Sequence, residues 1–135
     1  IRELAVASRV SEVAAIPLVR QFAVQQQQRL GKNKGIVMDG RDIGTVVFPE
    51  AELKIFMTAS KEIRVKRRFQ ELVQKDAAIT IDEVRENLEQ RDHMDSNRKE
   101  SPLRQAKYAR VLDNTNLTEQ QQFELALGWA KDTIA

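Results

Sequence analysis

The chain has 135 residues, 41% hydrophobic and 31% charged, with a formal net charge of +2. That is the composition of an ordinary soluble globular domain, long enough to bury a core. It lacks cysteine, which excludes disulfides and thiolate zinc sites, and its single histidine, His93, excludes histidine metal clusters.

No apolar run approaches the roughly 20 residues that span a bilayer, so a cytoplasmic protein with no membrane partner is expected. The chain opens at Ile1, without methionine and in mid-pattern, as expected of a portion of a longer protein. Residues 1–14 read as polar and irregular, with Ser8, Arg9 and Ser11 among them. Pro17 suits the first turn of a helix, where its missing N–H would be unpaired anyway. Leu18, Val19, Phe22, Ala23 and Leu30 give that helix an apolar face, Gly31 stops it, and Gln25 to Gln28 form its solvated side. A strand is predicted over 35–39 and a second over 53–57, beyond the breaker Pro49. Ser60 caps the next helix, which buries Ile63, Val65, Phe69, Leu72 and Val73 and crowds Lys61, Arg64, Arg67 and Arg68 on its other face. Thr80 with Glu83 makes a capping box for a helix from Ile81. After a loop over 99–102 comes a short strand over 108–112. Thr118 with Gln121 then caps a last helix whose Phe123, Leu127, Ala130 and Ile134 face inward. Strand–helix–strand alternation of this sort predicts an α/β layered fold.

The run Gly35-Ile36-Val37-Met38-Asp39-Gly40-Arg41-Asp42-Ile43-Gly44 carries the most chemistry. Its apolar start reads as a strand buried on both faces, as in parallel sheets covered by helices. Ligands of such sheets sit beyond the carboxyl ends of the strands, where Asp39, Arg41 and Asp42 would project. Gly40 and Gly44 allow a sharp turn and a close approach to a ligand. The plain reading is a strand and a polar turn, but an arginine flanked by two aspartates favours a charged ligand.

Val84, Leu88, Arg91, Asp95 and Arg98 are spaced four, three, four and three apart, and so share one face if the helix from Ile81 continues. The apolar half packs on the body. The Arg-Asp-Arg half is either an intrahelical ion-pair ladder or a set of groups converging on a polyanion that bears hydroxyls, for which the planar arginine fork is well suited. Arg64, Arg67 and Arg68 could be a solvated basic face or further phosphate ligands. None of the five glycines begins a G-x-x-x-x-G-K-[ST] phosphate loop.

Together, Val10-Ser11-Glu12-Val13-Ala14, Pro17-Leu18-Val19-Arg20, the run from Asp39 to Pro49, Lys66-Arg67-Arg68 and the run from Arg91 to Arg98 resemble the bacterial cytidylate (CMP) kinases over essentially the whole chain. The resemblance implies a P-loop nucleoside monophosphate kinase fold, a parallel sheet flanked by helices, incomplete here because the P-loop strand is absent. It implies transfer of the γ-phosphoryl group of ATP to CMP or dCMP with Mg2+, in an enzyme monomeric at full length. Residues 1–34 would end the CMP-binding region, 35–58 hold core strands, 59–103 form the lid and its flanking helices, and 104–135 the last strand and helix. Ser11, Arg20 and Asp42 are expected to recognise the base. Arg91 and Asp95 would lie near the sugar hydroxyls, and Arg41 and Arg98 would hold the monophosphate or fix contacts around the base. Arg67 and Arg68 would sit in the lid over the ATP phosphates. Asp39 either orients hydrated magnesium or plays a structural part in the turn. The 135 residues alone are expected to be inactive in phosphoryl transfer. A non-catalytic pyrimidine-nucleotide-binding module is the alternative, and a basic nucleic-acid-binding helix leaves the Asp-Gly-Arg-Asp turn unexplained.

Overall fold

Three local signals set the helix starts: Pro17 at a first turn, and reciprocal side-chain caps at Thr80/Glu83 and Thr118/Gln121. The computed structural model describes residues 3–135. Among these, α1 (Leu4–Ala14) and α2 (Pro17–Leu30) lead to a π-helical turn over Ile43–Val47 and then β1 (Ile55–Thr58). Next come α3 (Lys61–Val73), α4 (Ile81–Asn97), β2 (Arg110–Asp113) and α5 (Glu119–Ile134). The molecule is mostly helical, with one two-stranded parallel sheet in the register Ile55 to Arg110 through Thr58 to Asp113. Parallel pairing needs a long crossover, supplied here by α3 and α4. Among the described residues no helix is long and apolar enough to cross a membrane.

The core is small. Val65 and Leu72 of α3, Val84 of α4, Leu112 of β2, Ala7 of α1, Val47 and Ala106 are buried. Three ion pairs close the α3–α4 seam: Lys61–Glu89, Arg64–Asp92 and Arg85–Glu62.

Three expectations change. Residues 4–14, read as irregular, form α1; residues 1–2 of that stretch lie outside the described residues. Leu4, Ala7, Ser11 and Ala14 recur at helical spacing, and Ala7 and Ser11 are the buried pair. The segment 35–39 is extended but pairs with no strand, and Val37 is fully exposed. A β-ladder is a property of two segments, and among the described residues none lies beside this one. The apolar face of α5 does not turn inward: Phe123 is 58% exposed and Ile134 85%. Leu18 and Phe22 of α2 are likewise exposed. Periodicity tells which face prefers burial, not that a partner covers it. The chain accordingly exposes 9734 Å², against roughly 7,200 Å² from the size scaling of folded monomers of its mass. Gly40 and Gly44 do lie in a bend and a tight turn, without left-handed backbone. They are small for packing: a Cβ would crowd the Ile43 side chain at Gly40 and Ala106 at Gly44.

The Thr80 hydroxyl accepts from Glu83 N at 3.2 Å while the Glu83 carboxylate accepts from Thr80 N at 2.8 Å. Thr80→Ala is expected to cost about 0.5–2 kcal/mol in urea unfolding, and Thr80→Ser to retain most of that stability.

Candidate active site

Asp42 is fixed by its own backbone. Its carbonyl accepts from Thr45 N, Val46 N and Val47 N at 3.3, 2.9 and 3.2 Å, and Phe48 N donates to Ile43 O at 2.7 Å. That wide turn leaves the Asp42 carboxylate 2% exposed, facing α2, where Arg20 Nε lies 3.4 Å from Asp42 Oδ2. The two atoms do not meet in hydrogen-bond geometry, and each is buried with no other hydrogen-bond partner. A cleft of about 200 Å³ opens beside Arg20, lined also by Gln25, Val46 and Ser101 among others. The glutamine run is therefore not simply solvated. Gln27 accepts from Arg20 Nη2 at 3.4 Å, and Gln28 Nε2 donates to the Val47 carbonyl at 3.3 Å.

The helix from Ile81 does continue, so Arg91 and Asp95 stand on the face that begins at Val84, and Arg98 caps its end. Asp95, 4% exposed, accepts from Arg41 Nε at 2.9 Å through Oδ2, and its Oδ1 stands 3.8 Å from an Arg98 Nη. Arg98 Nε donates to the Ser101 carbonyl at 2.7 Å, whereas Arg98 Nη2 and Arg91 Nε are buried with no partner. Burial, and then the charge of Arg41, hold the Arg91 pKa below the usual guanidinium value. Burial, followed by Arg20, does the same to Arg98. Both remain cations, which makes the neighbourhood a concentration of positive charge relieved only in part by Asp42, Asp92 and Asp95.

The fold thus brings Arg20, Arg41, Asp42, Arg91, Asp95 and Arg98 together. Ser11 is buried on α1, which packs on α4, with no hydrogen bond joining its hydroxyl to the arginines. Asp39 is exposed at the end of the extended segment. Among the described residues no group of three or more His, Cys, Asp or Glu side chains could hold a metal ion. Arg67 lies apart and donates to Asn114 Oδ1 and to the Asn114 carbonyl at 2.8 and 2.7 Å. Arg68 pairs with Glu71 at 2.8 Å and contributes to the positive charge around Arg91.

The sequence reading missed the Arg64–Asp92 pair, in which both guanidinium Nη atoms donate to the carboxylate at 2.6 and 2.8 Å. Its members are 28 positions apart on different helices, and no local spacing marks them. The hydrogen bonds from Arg64 hold the Asp92 carboxyl below the usual carboxylate range, outweighing its partial burial. A carboxyl lowered in the folded state stabilises fully above its unfolded pKa of about 3.9 and loses that contribution as pH falls through the folded value. Asp92→Asn is therefore expected to lower the urea midpoint near neutral pH and to flatten its decline between about pH 5 and pH 2.

A family model described as cytidylate kinase matches residues 1–132. The cytidylate kinase of Bacteroides thetaiotaomicron is 56% identical over 124 residues, covering 92% of this chain and 54% of its own length. That of Parabacteroides distasonis is 57% identical over 122 residues (90% and 53%), and that of Flavobacterium johnsoniae 50% identical over 134 residues (99% and 58%). The chain spans about half the length of these relatives. With its arginine–aspartate array in place, and a mostly helical body around a parallel strand pair, the chain belongs to the cytidylate kinase family.

Proposed function

We propose that this chain supplies the monophosphate-selecting part of an enzyme that transfers the γ-phosphoryl group of ATP to CMP or dCMP. One observation carries the reading. Arg91 Nε and Arg98 Nη2 are buried donors without partners, and Arg20 Nε and Asp42 Oδ2 meet only as an ion pair at 3.4 Å with no hydrogen bond, all set around the Arg41–Asp95 pair. Each unpaired buried group costs about 1–3 kcal/mol, so the array is suited to a ligand that brings both donors and acceptors. Cytosine has a donor amino group beside acceptors, which an acidic and a basic side chain read together; Asp42 and Arg20 are that pair. Asp95 and Arg91 then face the ribose hydroxyls, and Arg98 with Arg41 the monophosphate. Ser11 completes the base contacts once ligand is bound.

Phosphoryl transfer asks a protein chiefly for positioning and for positive charge around the moving group. Arg41 and Arg98 supply both on the acceptor side. Arg67 and Arg68 of α3 supply charge toward the ATP phosphates after leaving Asn114 and Glu71, and closure over the nucleotides excludes the water that would otherwise take the phosphoryl group. Magnesium is brought with ATP, and Asp39, a lone exposed carboxylate, is too little to hold it by itself. With no glycine-rich phosphate loop in the sequence, these 135 residues by themselves bind nucleotide without transferring phosphoryl. The basic face of α3 is a poorer site for nucleic acid, because its Lys61, Arg64, Arg67 and Arg68 are engaged by Glu89, Asp92, Asn114 and Glu71.

Titration of the chain with CMP and with AMP by calorimetry, with a far-UV spectrum to establish folding, tests the reading. Saturable binding of CMP but not AMP is expected, and Asp42→Asn should weaken it roughly ten- to a hundredfold. A folded chain that binds neither nucleotide, or both alike, would overturn the assignment.

A further inference from the structure

Ser101 holds a backbone conformation that its own chemistry disfavours. Its φ is 51°, in the left-handed region that residues other than glycine seldom occupy. It also precedes Pro102, whose ring pushes the residue before it toward extended backbone. Such strain persists only where the surroundings enforce it, and it gathers at ligand sites.

The enforcing contacts lie on either side. Arg98 N donates to the Met94 carbonyl at 3.0 Å as α4 ends, and Leu103 N donates back to the Asp95 carbonyl at 2.7 Å. Between these two pins the Ser101 carbonyl accepts from Arg98 Nε at 2.7 Å. The Arg98 side chain is 3% exposed, with an Nη 3.8 Å from Asp95 Oδ1, and its Nη2 is the buried donor left without a partner. A guanidinium is planar, so fixing Nε on one side and facing a carboxylate on another settles where the remaining edge points. Ser101 itself lines the cleft beside Arg20.

We infer that Ser101 is a positioning residue: its left-handed backbone turns its carbonyl onto Arg98 and so fixes the free edge of that guanidinium for the phosphate of a nucleoside monophosphate. The inference rests on the proposed reading that Arg98 faces the monophosphate. It assigns the work to the backbone of residue 101 and none to its hydroxyl.

Ser101→Ala, Ser101→Gly and Ser101→Val separate these two parts: the first two lack the hydroxyl without opposing the left-handed backbone more than serine does, whereas β-branched valine opposes it more strongly. Each variant is titrated with CMP and with cytidine, which lacks the phosphate, and melted to record its stability. Ser101→Ala and Ser101→Gly are expected to keep the wild-type ratio of CMP to cytidine affinity, and Ser101→Val to lower it at least about fivefold. Where valine prevents folding, Ser101→Thr, β-branched but retaining the hydroxyl, takes its place. A ratio lowered alike in alanine and glycine would assign the role to the hydroxyl and overturn the inference, as would an unchanged ratio in the β-branched variant. A wild-type chain that does not prefer CMP to cytidine would instead overturn the placing of the monophosphate at Arg98 on which the inference rests.

Discussion

A carboxylate that is almost wholly buried needs a cation beside it, because an isolated buried charge is far too costly to keep. Asp95 is such a group, and it is held by Arg41 from the turn after the extended segment and approached by Arg98 from the end of its own helix. That arrangement couples two parts of the chain 54 positions apart. It ties the Asp-Gly-Arg-Asp turn to α4, and the turn in its turn places Asp42 against Arg20 of α2. Arg41 is partly exposed, but removing it would strand the buried Asp95 carboxylate, a loss usually larger than the net worth of such a pair. The interaction is therefore a constraint on geometry more than a source of stability.

Around that constraint the charges do not cancel. Among the described residues four buried side-chain atoms lack a hydrogen bond, and three of them are on arginines. Folded proteins rarely leave such groups unsatisfied without a reason. On the proposed reading the reason is chemical: donors that are fixed in place before a phosphate arrives lose little entropy when it binds, and the binding energy goes into orientation. The same logic separates Arg64, whose guanidinium is already occupied bidentately by Asp92, from Arg91 and Arg98, which retain free edges.

How much of this was legible in the sequence depended on whether the signal was local. Thr80 and Glu83, or Thr118 and Gln121, lie three residues apart and cap their helices as read. The spacing of Val84, Leu88, Arg91 and Asp95 became a common face because α4 continues as far as Asn97, and Arg98 follows as its cap. Residues 35–39 failed as a strand because pairing is non-local, and β-propensity cannot supply a neighbour. For α1 the helical spacing is present in Leu4, Ala7, Ser11 and Ala14, but the polar Ser8, Arg9 and Ser11 blur its apolar pattern. Phe123 and Ile134 show the converse limit, an amphipathic pattern without a surface to meet it. Ser101 was invisible for a different reason: its backbone is set by pins from Arg98 and Leu103, whereas its own identity and the following proline argue for an extended conformation.

The central claim is that the arginine–aspartate array stands assembled before ligand arrives, with free edges on chosen arginines. The most direct measurement is the set of side-chain Nε–Hε NMR signals of a ¹⁵N-arginine-labelled chain, followed as CMP is added. The account predicts that Arg20, Arg91 and Arg98 shift, while Arg64, held by Asp92, stays put. Uniform small shifts across all the arginines, or shifts confined to the exposed ones, would contradict it.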